Sequence, residues 1–136
     1  MITIPHPSVW VFIIALALVA CSTTPSSPTP QPQQQVSDGI TIELTVAEQP
    51  QLNQAQEFII RLLDSAGQPI EGAQVYLDLD MPAMPMGTNQ PIASGLGEGR
   101  YSTQSAFTMT GEWIITVVVK VNDTEHRATF TREVDQ

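Results

Sequence analysis

Ala73–Met81 reads AQVYLDLDM, and its alternation decides the fold class. Val75, Leu77, Leu79 and Met81 share one parity, while Tyr76, Asp78 and Asp80 share the other. A period of two places apolar side chains on one face and polar ones on the opposite face, the pattern of a half-buried β-strand. The pattern recurs on both sides. Upstream, GITIELTV (39–46) sets Ile40, Ile42, Leu44 and Val46 against Thr41, Glu43 and Thr45, and EFIIRLLD (57–64) follows after a polar connection. Downstream come GRYSTQSAFTM (99–109), WIITVVVKV (113–121) and EHRATFTREV (125–134). Turn chemistry separates the runs: DSAGQPIEG (64–72) carries Asp64, Gly67, Pro69 and Gly72, and Asn122-Asp123 joins the last two runs. Asn122-Asp123-Thr124 also matches a glycosylation acceptor, but the hairpin reading accounts for it.

About seven short strands with turns roughly every ten residues predict an all-β domain, a β-sandwich of immunoglobulin-like type. No internal repeat and no amphipathic helix stand out after the first twenty residues. The domain is expected over 39–136.

The two segments before it have other compositions. Residues 1–20 hold an apolar run, Val9–Ala20, too short to span a bilayer comfortably and of the length of a signal peptide. The run ends in Leu18-Val19-Ala20-Cys21, which resembles the bacterial lipobox and implies that Cys21 carries lipid. The basic residues usual before such a run are missing; only the amino terminus and His6 stand there. Residues 21–38 then read as the lipidated Cys and a linker, STTPSSPTPQPQQQVSD (22–38), whose Pro, Ser, Thr and Gln bury no apolar area. In polyproline form, at roughly 3.1 Å per residue, the linker reaches up to about 50 Å. The expectation is an exported lipoprotein, tethered to a membrane at its periplasmic or extracytoplasmic face.

Cys21 is the only cysteine, so the domain has neither a disulfide nor a thiolate ligand. The net charge of −9 argues against nucleic acid, whose phosphates would be repelled.

The residues with chemistry to explain are the methionines of MPAMPMG (81–87), three within six positions and interleaved with prolines. Thioether sulfur is a soft, neutral donor matched to Cu(I). Met84 and Met86, hemmed by prolines and Gly87, are the hardest to bury and are the expected donors. Met81 continues the inward parity of Leu79, and Met109 shares the parity of Phe107. Both read first as core fillers and second as donors. In polyproline form the Cα atoms of Met81 and Met84 would stand about 9 Å apart, which predicts a weak, exchangeable site. Alternating strands would bring the connections holding Met84, Met86 and Met109 to one end, and a chain entering at Gly39 would enter at the opposite one. The same loop reads equally as an adaptable surface for a partner protein, with no metal.

Other residues carry less. Asp78 and Asp80 lie on the outward face of a strand and lack the oxygen-rich loop that calcium needs. His126 is expected to be exposed or at an edge, and Trp113 to pack in the core. No serine or threonine is paired with a base, and no phosphate-cradling loop or basic aromatic surface is present. No enzymatic activity is expected.

DSAGQPIEGAQVYLDLDMPAMPMGTNQP (64–91) followed by GEGRYSTQSAFTMTGEWIITVVVKV (97–121) resembles the YtkA-like domain family, over roughly residues 39–134. Its relatives include FixH-type accessory proteins of copper-containing terminal oxidases. The resemblance implies an exported immunoglobulin-like module, a copper link in some relatives, and no common enzymatic activity. A copper protein or a membrane complex is the partner it implies. This chain has no histidine beside the methionine loop.

Overall fold

The computed structural model describes residues 30–85 and 87–135. They form eight antiparallel strands: β1 (Gln33–Ser37), β2 (Ile40–Thr45), β3 (Ala55–Leu63), β4 (Gln74–Asp80), β5 (Ile92–Gly97), β6 (Arg100–Ala106), β7 (Gly111–Val121) and β8 (Thr124–Val134). Their lateral order is β1-β2-β3-β6-β5-β4-β7-β8. β5 pairs with β6 along one flank and with β4 through Ala93 and Ile92 on the other, so it links the two layers. The two outermost strands, β1 and β8, also meet. The Gln35 side-chain amide donates to the Thr129 carbonyl and accepts from the Thr129 N–H at 3.0 Å, as a short strand would. The result is a nearly closed sandwich.

The expected parity holds. Ile42, Leu44 and Val46 are buried, as are Val75, Leu77, Leu79 and Met81. The centre of the core is aromatic: Phe107 lies 5.8 Å from Phe58 and 5.3 Å, edge-on, from Trp113, the tilted arrangements that ring quadrupoles favour. Trp113 is fully buried, and its indole N–H donates to the Met109 carbonyl at 3.0 Å, so no polar atom of the ring is stranded.

The two ends of the sandwich are built differently. At one end lie three two-residue hairpin turns, Asp38-Gly39, Glu98-Gly99 and Asn122-Asp123, each with both central residues at positive φ. That is the backbone of turns whose twist matches the strands they join. The connection 64–73 between β3 and β4 lies at the same end, and the other end gathers the connections 46–54, 81–91 and 107–110. They are called the hairpin end and the methionine end below.

Three expectations need correction. The linker does not run to Asp38, because Gln33–Ser37 pairs with β2 in register from Gln33↔Leu44 to Ser37↔Ile40. Glutamine-rich sequence has weak strand preference, but five residues closed by an Asp-Gly turn can ladder onto a finished strand without apolar side chains. The strands number eight, the six runs read from the sequence plus β1 and the glycine-broken β5. Finally, β1 reverses the entry of the chain. β2 starts at the hairpin end, but β1 runs antiparallel to it, so Pro30–Pro32 approach from the methionine end. The proposed signal peptide, Cys21 and most of the linker lie outside the described residues.

Candidate functional site

The methionine end is organised by β4 and the segment that returns along it. Asp80 closes β4, and Met81-Pro82-Ala83-Met84 then forms a β-turn in which the Met84 N–H donates to the Met81 carbonyl at 2.9 Å. Proline in the second position presets the backbone for that turn. The turn brings the Cα atoms of Met81 and Met84 within about 7 Å, closer than the polyproline expectation. The return limb is fixed too. The Leu79 N–H donates to the Asn89 carbonyl at 3.1 Å and the Leu77 N–H to the Pro91 carbonyl at 3.0 Å. The Asn89 amide reaches Ser105 on β6 at 3.4 Å. The loop is therefore pinned on both limbs and open at its corner.

The structure separates the three of these methionines that it describes. Met81 is 6 % exposed and belongs to the core. Its terminal methyl occupies the notch left by the missing side chain of Gly111, where an added Cβ would stand 2.8 Å from that methyl. Gly111 sits at φ +120°, a backbone that suits glycine, so the notch and the strand start are one device. Met109 is half-buried and packs against the core from the neighbouring connection. Met84 is 55 % exposed, with Pro82, Ala83 and Pro85 exposed around it. Met86 lies outside the described residues. The 81–91 and 107–110 connections do share one end, as alternating strands require: the Met81 methyl touches Gly111, two residues beyond Met109. That end is also the one the chain enters, opposite to the expectation, because β1 adds a reversal.

Carboxylates are exposed at both ends, but the ion pairs lie away from the methionine end. Arg61 pairs with Glu43 at 3.8 Å, Lys120 with Asp123 at 3.7 Å and Arg127 with Glu125 at 2.7 Å, all at mid-strand or toward the hairpin end. The hydrogen bond that Arg127 donates to Glu125, with that carboxylate's charge, raises the Arg127 pKa. At the methionine end Glu48, Glu57, Asp80, Glu112, Glu133 and Asp135 are exposed and have no ion-pair partner among the described residues. Arg132 is the one basic side chain at that end among the described residues, so the carboxylates outnumber it and favour cations at the loop corner. Among the described residues no group of three or more His, Cys, Asp or Glu side chains is placed to share an ion.

His126 is not exposed. It faces inward on β8 with 7 % of its surface accessible, and among the described residues its Nδ1 has no hydrogen-bond partner; the nearest described carboxylate is Asp38 at 3.9 Å in the β1–β2 turn. Alternation explains this placement, since Ala128, Phe130 and Val134 of the same strand are buried on the same parity. Asp78 and Asp80 lie on the outward face of β4, as expected, with Asp80 exposed. Sequence reasoning missed the Gly111 notch, the Asn89–Ser105 pin and the Gln35 amide. Only the Asp38-Gly39 dipeptide beside an apolar run carried a readable signal, that of a hairpin.

Together these features define a small antiparallel β-sandwich module that presents a methionine-bearing turn at its acidic end. The family model described as YtkA-like matches residues 34–118, and the chain belongs to the YtkA-like family. That match begins inside β1, in line with β1 being part of the domain. A search of the curated proteins finds no match.

Proposed function

We propose that this chain is an exported, membrane-tethered β-sandwich module that binds Cu(I) through its methionine loop and helps deliver it to a copper-dependent membrane system. The observation that carries the reading is Met84: a thioether 55 % exposed at the corner of a pinned, proline-bounded turn. An exposed apolar side chain in that position gains nothing from packing, whereas its sulfur is a matched donor for a soft monovalent ion. Met86 follows two residues later and is the second donor; half-buried Met109 is the nearest further thioether by topology. Met81 is withdrawn from the donor set by its burial. The unpaired carboxylates concentrate cations near the loop without coordinating them. Two flexible thioethers make an exchangeable site, which suits a carrier. The lipobox-like Leu18–Cys21 stretch and the Pro-rich segment after it supply the tether.

A Cu(I) titration of the purified protein under reducing conditions, against a chromogenic chelator, tests this reading. Competition by the native chain, lost in the Met84→Ala/Met86→Ala double variant, is the expected outcome. No competition, or equal competition by the variant, removes copper from this loop. The second reading is a metal-free contact surface for an extracytoplasmic partner. The run of four exposed residues Pro82–Pro85 favours it, since thioethers adapt to partner surfaces. It is the reading left standing by a negative titration.

A further inference from the structure

We propose that β1 is a releasable strap, and that its docking decides which end of the sandwich faces the N-terminal attachment. In an antiparallel pair, residues directly opposite share a face. Gln33, Gln35 and Ser37 oppose Leu44, Ile42 and Ile40, so the inward face of β1 is entirely polar. Its one apolar residue, Val36, lies on the other face and is 67 % exposed. β1 therefore adds no apolar side chain to the core, the term that dominates the holding of every other layer.

What holds β1 is thin. On one side stands its five-pair ladder to β2. On the other, among the described residues, the Gln35 amide bonds the main chain of Thr129, and Asp38 stands 3.9 Å from His126 with no hydrogen bond between them. β2, by contrast, buries Ile42 and Leu44 and has its own ladder to β3, so it stays in place when β1 leaves. Opening of this kind, below the cost of global unfolding, is the expected behaviour of an element with few apolar contacts.

Release moves the point of attachment. With β1 docked, the chain enters from the methionine end. With β1 released, the first fixed residue is Ile40 at the hairpin end, and residues 33–39 become free lead of up to about 23 Å. The docked state turns the methionine loop toward the anchor; the released state turns it outward. The release rests on strand pairing and not on Cu(I), so either can fail alone; its effect on orientation rests on the N-terminal anchor proposed above.

β2 contains its own control. The two-residue turn makes Ser37–Ile40 a hydrogen-bonded pair, so the Ile40, Ile42 and Leu44 amides face β1, while those of Thr41, Glu43 and Thr45 face β3. Native-state hydrogen exchange of the full chain, read residue by residue, separates the two sets. The β1-facing set is expected to exchange about 100-fold faster, and Gln35→Ala to speed that set alone by about tenfold. Equal rates in the two sets of the native chain overturn the proposal. So does a Gln35→Ala variant that changes neither set or accelerates both alike.

Discussion

The hairpin end and the methionine end solve the same problem of turning strands round, with opposite economies. At the hairpin end stand three tight turns and the connection 64–73, which a buried tyrosine hydroxyl pins. Tyr101 is 3 % exposed; its hydroxyl donates to the Ile70 carbonyl at 2.9 Å and accepts from the Ala73 N–H at 3.0 Å. It thereby fixes the segment that leads into β4. Glu71, beside it, accepts from the Gly99 N–H at 2.9 Å. At the methionine end three connections meet, their carboxylates have no ion-pair partner among the described residues, and Met84 stands in water. One end is over-determined for stability, and the other is held only at its roots. That is the usual division between a scaffold and the loops that carry function.

Substitutions sharpen the contrast, and the largest effect belongs to the hairpin end. Gly99 sits at φ +69°, and a Cβ there would stand 2.6 Å from the Leu62 carbonyl oxygen and 2.8 Å from the Pro69 Cβ. Gly99→Ala forces backbone apart, because the Leu62 N–H is itself bonded to the Gly99 carbonyl at 2.8 Å. A loss of about 3 kcal/mol in denaturant unfolding is expected. A loss below about 1 kcal/mol would show that this end relaxes as easily as the other. Tyr101→Phe ranks next. It leaves the Ala73 N–H and the Ile70 carbonyl without their partner, and urea melts should show a loss of about 1–2 kcal/mol. Met84→Ala is smallest. Its side chain makes little buried contact, so thermal unfolding should report a change within about 0.5 kcal/mol. A larger drop would mean that the methionine turn braces the fold, and the contrast between the ends would then blur.

The core was legible because burial and alternation are local. β2 and β4 could be read directly: side chains two apart share a face, and one buried face demands one apolar parity. His126 obeyed the same rule and could have been assigned inward from Ala128, Phe130 and Val134 had parity been weighed above residue type. β1 and β5 were hidden for a different reason. Neither offers an apolar alternation, since β1 is held by main-chain bonds and the Gln35 amide and β5 is broken by Gly95 and Gly97 where it bends between layers. Missing β1 also misplaced the entry of the chain, because each strand added at the start moves the entry to the other end. In the candidate site, the inward parity of Met81 and the shared end of the two connections were readable. The β-turn that exposes Met84, and the notch that swallows the Met81 methyl, depend on how separate connections meet. Spacing along one segment does not encode that.

The Gly111 notch bears on chemical ageing. Thioethers are slowly converted to sulfoxides by peroxides, and a sulfoxide in a packed core is polar, larger and disruptive. By seating Met81 where oxidants do not reach while leaving Met84 in the open, the fold confines such damage to a side chain whose alteration leaves the sandwich standing.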